Sequence, residues 1–150
     1  MAAMLPVRAL CLLAGGLLSA AAVASDYRSV AVPAAILYDA PSQQGRKLWL
    51  APRFSPLEVV STVNQWVKVR DASGDLAWVE RGDLSATRTV VTRLQASVRS
   101  AGQEGAEVLF TAERGVALEL LDPALVSGWV RVRHRDGTAG WVRAADVWGL

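Results

Sequence analysis

The stretch Trp66 to Leu84, WVKVRDASGDLAWVERGDL, returns 63 positions later as Trp129 to Val147, WVRVRHRDGTAGWVRAADV. Eight of the nineteen aligned places are identical: Trp, Val, Val, Arg, Gly, Trp, Val and Asp. Self-similarity at one fixed offset means that the chain is built from copies of a single structural unit. The offset sets each unit at about 60 residues, and two such copies fit in the chain of 150. A domain of that size buries only about 60% of its unfolded surface, which makes packing of one unit on the other an expected source of stability.

Within each copy the side chains alternate with period two. Val67 and Val69 point one way, and Trp66, Lys68 and Arg70 the other, as on a half-buried strand. The polar steps that follow end in Ser73-Gly74 and Asp136-Gly137, where glycine supplies the positive φ of a tight hairpin. The return strand carries Trp78-Val79 or Trp141-Val142 and closes on Asp83-Leu84 or Asp146-Val147. The expected core therefore holds Val67, Val69 and Val79 in one unit and Val130, Val132 and Val142 in the other. The two tryptophans of each hairpin are either packing or ligand-facing; the alternation alone permits both.

Upstream of the hairpins the offset falls to 61, because unit two carries two extra residues before its first tryptophan. Leu48-Trp49-Leu50 aligns with Leu109-Phe110-Thr111, Leu57 to Val60 with Leu118 to Leu121, and Leu37 to Pro41 with Val98 to Gly102. The junction Ser85 to Arg93 reads as the last strand of unit one running straight into unit two. Many short strands separated by turn residues, with no sustained helical period, predict an all-β sandwich or small barrel.

Residues 1–24 read as a cleaved secretory signal peptide. Arg8 gives the positive start, Ala9 to Val23 the apolar run, and Ala22-Val23-Ala24 the small residues of a cleavage site before Ser25. The run is short of the roughly 20 apolar residues of a membrane span, so no span is expected after cleavage. Cys11 is the one cysteine, and its surroundings do not match a lipoprotein signal. Its removal leaves a mature chain without disulfides or thiol chemistry. With Arg8 gone the charge is 15 basic against 14 acidic residues, interspersed in both units, and no basic face is left for nucleic acid.

Val98-Arg99-Ser100, Gly128-Trp129-Val130-Arg131-Val132-Arg133, Gly140-Trp141-Val142-Arg143 and Asp146-Val147-Trp148-Gly149 together resemble the bacterial SH3 domain. Unit one departs where Tyr38-Asp39 replaces Arg-Ser, Gln65 the glycine before Trp66, and Ala77 the glycine before Trp78. The resemblance implies two tandem SH3-like five-stranded barrels, at residues 28–88 and 89–150 after the signal peptide. It also implies an exported, periplasmic or secreted protein with a non-catalytic role, contacting peptidoglycan or an envelope protein or peptide.

The residues suggest binding rather than catalysis. His134 is the one histidine, sits in a hairpin turn between two arginines, and has no nucleophile assigned to it. No zinc set, cofactor motif or phosphate-cradling loop is present. Asp71 and Asp75 form a weak calcium-like phrase that a turn explains equally well. The candidate ligand-binding residues are Trp129, Arg131, Arg133, Trp141 and Arg143 in unit two, and Trp66, Trp78 and Tyr38 in unit one. Flat rings stack on sugars and peptide planes, and guanidinium groups pair with carboxylates. Trp129 shares a strand face with Arg131 and Arg133, which makes unit two the expected binder and Trp66 the weaker counterpart.

Overall fold

A computed structural model describes residues 24–150; the expected signal segment, with Cys11, lies outside the described residues except for Ala24. Unit one contains β1 (Asp26–Val30), β2 (Ala34–Tyr38), β3 (Lys47–Pro52), β4 (Pro56–Val63), β5 (Trp66–Arg70), β6 (Leu76–Glu80) and β7 (Leu84–Ser85). Unit two repeats them as β8 (Thr89–Thr92), β9 (Ala96–Arg99), β10 (Val108–Ala112), β11 (Ala117–Val126), β12 (Trp129–Arg133), β13 (Ala139–Arg143) and β14 (Val147–Trp148). A three-residue 3-10 turn, Arg81–Asp83 or Ala144–Asp146, precedes the last strand of each.

Each unit forms one antiparallel sheet with the same order, β3-β2-β6-β5-β4-β1-β7 and β10-β9-β13-β12-β11-β8-β14. Both sheets thus add a first and a last short strand to the five that carry the SH3-like pattern. The sequence expectation for the junction is corrected here: it is not one strand running on from unit one, since β7 ends at Ser85 and Thr89–Thr92 forms a separate first strand of unit two, paired with β11 and β14. Its β-branched run suited a strand equally well in either unit, and only its partners decide.

The core explains why each sheet curls. Val30, Ala35, Leu37, Ala51, Leu57, Val67, Val69, Ala77 and Val79 form one buried cluster, and every strand from β1 to β6 contributes to it. One sheet can enclose its own apolar face only by bending around it. Register shifts in β4 between Val59 and Ser61, and in β11 after Leu120, mark bulges, which sharpen the local bend and twist. The six valines expected inside are buried, five of them with no accessible surface and Val67 at 5%. Each contributes about 1.5–3 kcal/mol by leaving water. Gly74 and Gly137 turn the two hairpins at φ of 91° and 94°, as their spacing required.

The units pack reciprocally. Phe54 of unit one lines a cavity with Arg133, His134 and Arg135 at the hairpin of unit two. The equivalent Arg114-Gly115 loop of unit two lines one with Arg70 and Asp71 at the hairpin of unit one. Reciprocity of this kind is the mark of a two-fold-like interface. Thr89 Oγ1 donates to the Phe54 carbonyl at 2.7 Å, and Arg88 donates to the Gly149 carbonyl at 2.8 Å. Tyr27 of unit one meets Trp148 of unit two edge-on at 5.3 Å, with the Arg88 guanidinium 5.1 Å from the Tyr27 ring. Burial pushes the Tyr27 phenol up, and nearby Glu58 adds to the rise.

Candidate aromatic binding faces

In unit one, β5 and β6 run side by side with Trp66 opposite Glu80 and Lys68 opposite Trp78; Tyr38 lies across from Trp78 on the other side. Their core-facing neighbours Val67, Val69, Ala77 and Val79 fix the alternation, so Trp66, Lys68 and Trp78 must face outward. Trp66 and Trp78 are both half-buried. The Lys68 ammonium stands 5.9 Å above the Trp78 ring, and Tyr38 meets Trp66 edge-on at 5.4 Å. Tyr38 is only 5% exposed, so it supports Trp66 from beneath rather than offering a face. The loop 39–46 flanks the site, anchored where Gln43 Nε2 donates to Glu80 Oε1 at 2.9 Å.

Unit two has the same frame with a different cover. Trp129 lies opposite Arg143, Arg131 opposite Trp141, and Arg99 takes the place of Tyr38 beside Trp141. The loop 100–107 closes over the first tryptophan: a Cβ added to Gly102 would stand 3.1 Å from Trp129 Cβ and 3.3 Å from the Trp141 ring. The Arg143 guanidinium lies 5.8 Å from the Trp129 ring and is ion-paired to Glu104 from the same loop. Arg99 steadies the loop by donating to the Ala106 carbonyl at 2.8 Å. Trp129 is left 7% exposed.

The bacterial SH3 domain family matches this chain twice, over residues 31–86 and 94–149. The chain belongs to that family. Solved structures similar to it include NlpC2 from Trichomonas vaginalis (12% identity, 83% of this chain and 48% of that one, TM-score 0.38). An NlpC/P60 family protein from Bacillus cereus is similar at 17% identity, over 81% of this chain and 55% of that one, with a TM-score of 0.39. This chain spans about half the length of both. Among curated proteins none matches it.

The two bacterial SH3 domains therefore differ in which residues they leave open, and the sequence expectation needs correcting at several of them. Trp129 is on the strand face of Arg131 and Arg133, as alternation required, but it is roofed by Gly102 and Arg143 and cannot stack on a ligand in this arrangement. Arg133 is engaged with Glu119 through Nε and Nη2 at 3.2 and 2.8 Å, the counterpart of Arg70 with Glu58 at 2.8 Å. Arg143 is held by Glu104. That leaves Trp66, Lys68 and Trp78 in domain one and Arg131 and Trp141 in domain two as groups able to meet a ligand. Lys68 was not singled out in the sequence, although its place opposite Trp78 and its overlay on Arg131 marked it. The anchors Gln43–Glu80 and Glu104–Arg143 were hidden because their members align at offsets of 61 and 63.

The hairpin turns keep the bland reading. Asp71 Oδ1 accepts the backbone N–H of Ser73 at 2.9 Å and of Asp75 at 3.0 Å. In domain two Asp136 takes over, accepting the Thr138 N–H at 2.9 Å. That bond, with His134 beside it, holds the Asp136 carboxyl below its ordinary pKa. His134 packs against Phe110 at 5.4 Å and lies 3.1 Å from Asp136. Among the described residues, no group of three or more His, Cys, Asp or Glu is placed to hold a metal ion. No described helix is long and apolar enough to cross a membrane.

Proposed function

We propose that this tandem bacterial SH3 protein is an exported, non-catalytic module of the cell envelope that holds peptidoglycan on its outward aromatic faces. The observation that carries the reading is the open row Trp66, Lys68 and Trp78 on β5 and β6, repeated in part by Arg131 and Trp141. Two half-buried rings beside a cation suit a polymer that alternates sugar planes with carboxylate-bearing peptides. Half-burial fixes the rings in place, so little side-chain entropy is lost on binding. Catalysis is not part of the proposal, since neither face brings a base and a nucleophile together.

The test is co-sedimentation of the exported protein with purified peptidoglycan sacculi. Wild type should pellet, and Trp78→Ala and Trp141→Ala should each weaken pelleting several-fold at a temperature well below their own, lowered thermal midpoints. A wild type that stays in the supernatant would give way to a second reading, in which the repeats contact only an envelope protein. The burial of Trp129 favours that second reading for domain two, because its most prominent ring is used inside the fold.

A further inference from the structure

A wide hollow lies at neither aromatic face but between the two domains. It is a cleft of about 540 Å³, walled by the Arg70 to Gly74 hairpin on one side and by Arg93, Arg114, Gly115 and Trp148 on the other. A second hollow of about 190 Å³ adjoins it, sharing Asp71 to Ser73 and Val91 and adding Trp49, Leu50 and Pro56. Together they make a trough in the size range of ligand sites, basic at one end and apolar at the other.

The charges at the basic end lack local partners. Arg93 and Arg114 are exposed, and among the described residues neither has a carboxylate within ion-pair distance, unlike Arg28, Arg46, Arg70, Arg133 and Arg143. Asp71 on the opposite wall forms no ion pair with either of them, and its Oδ1 accepts two backbone N–H groups of its own turn. Glu113, next to Arg114 in sequence, takes a hydrogen bond from Gln95 at 2.8 Å instead. One side of Trp148 is held by Tyr27, so the ring is fixed where it lines the cleft.

Its pseudo-symmetric counterpart keeps only part of these features. The hollow at Ser29, Ala31, Arg53, Phe54 and Ser85 encloses about 280 Å³. There Arg53 keeps the place of Arg114, but Ala31 stands for Arg93, Ser85 for Trp148, and Phe54 for Gly115. Packing alone would treat both ends alike. The other end has Arg53 on its loop and Arg135 on its hairpin, but only the first sets two unpaired guanidinium groups, with a tryptophan, on the wall that faces the hairpin.

We propose that this interdomain cleft binds an extended acidic segment of a partner polypeptide. Its carboxylates would sit on Arg93 and Arg114, with an adjoining apolar side chain against Trp49 and Pro56. Planar guanidinium forks match carboxylates, and a glycan has no apolar side chain for the Trp49 end. The site is separate from the aromatic faces, and neither depends on the other.

The experiment captures a pooled octapeptide library of Asp, Glu, Asn, Gln, Leu, Phe, Ala and Gly, half of it with amidated C-termini, on the immobilised two-domain protein. Captured peptides should be enriched in Asp and Glu next to Leu or Phe, amidated or not. The double variant Arg93→Ser, Arg114→Ser should lose that enrichment at least tenfold, keep the wild-type thermal midpoint because both side chains are exposed, and pellet with sacculi as wild type does. Capture without acidic enrichment overturns the proposal. So does enrichment that survives the double variant, or that disappears in Arg131→Ser instead. Enrichment confined to free C-termini moves the recognised group from side chains to a chain end and refutes an internal acidic segment. Displacement of captured peptides by soluble muropeptides refutes a partner polypeptide as the source.

Discussion

Replacing Trp129 and Trp66 by alanine perturbs the same position of the repeat in two environments, so the pair separates packing from binding. Trp129 is 7% exposed, roofed by Gly102 and by Arg143; removing a buried tryptophan costs about 3–5 kcal/mol in lost transfer energy and cavity. A domain of about 60 residues has only about 3–9 kcal/mol to lose, so domain two should be close to unfolding. Trp66 keeps more of its surface in water than Trp129, so its transfer cost is smaller, and its edge contact with Tyr38 adds about 0.5–1.5 kcal/mol. Its loss should therefore cost about 2–4 kcal/mol. With about 4–8 °C lost per kcal/mol at this size, the Trp129→Ala midpoint should fall by more than about 12 °C, and the Trp66→Ala midpoint by less. Urea and thermal unfolding followed by far-ultraviolet circular dichroism read both without relying on the deleted fluorophore. A Trp129→Ala cost under about 1 kcal/mol, or a larger cost for Trp66→Ala, would refute the argument that the loop 100–107 makes Trp129 structural.

Gly140→Ala should destabilise by about 1–3 kcal/mol through overpacking, because the new Cβ would stand 2.6 Å from Val98 Cγ1 and 2.7 Å from the Arg99 carbonyl; Gly82→Ala, with nothing within 4 Å, should leave the urea midpoint nearly unchanged. Tyr27 has a folded pKa above its ordinary value, so its contribution is fully present below about pH 10 and is lost as the pH climbs from there through the folded value. Tyr27→Phe should flatten that alkaline loss in a pH series of thermal midpoints, and an unchanged slope would exonerate the interdomain tyrosine. The intact mass of the exported protein should begin at Ser25, and a mature form retaining residues 1–24 would contradict the signal-peptide reading.

The hairpins were legible because their information is local. Period-two valines, a glycine at each tip and a repeat offset of 63 fix strand, turn and inward face without reference to anything distant. The faces of the tryptophans were legible in direction but not in exposure. Whether a ring on the outer side of β12 meets water depends on a loop about 27 residues earlier, and on the missing Cβ of Gly102. The partnerships of Arg133 and Arg143 are likewise long-range, with Glu119 across a bulged ladder and Glu104 across a loop. The junction reads as one continuous strand for a related reason, since a β-branched tetrad specifies a strand but not the sheet it joins. The interdomain cleft lay beyond sequence reading altogether, because its walls are assembled from a hairpin in one unit and a loop in the other.

Duplication explains how one frame carries unequal surfaces. The buried positions barely differ: Ala35, Leu37, Leu57, Val67, Val69 and Val79 correspond to Ala96, Val98, Leu118, Val130, Val132 and Val142, all in the two cores. Close packing leaves those sites little freedom, whereas outward sites change at small cost. Tyr38 becomes Arg99, Pro41 becomes Gly102, and the loop anchor Gln43–Glu80 becomes Glu104–Arg143. The anchor occupies the same place in both, yet it joins an amide to a carboxylate in domain one and two opposite charges in domain two. Domain two thereby gains a charged roof over its first tryptophan and gives up that ring as a binding surface. Domain one, with a lighter anchor and no roof, keeps Trp66 and Trp78 open, and so the domain that departs further from the family pattern in sequence has the more accessible aromatic face.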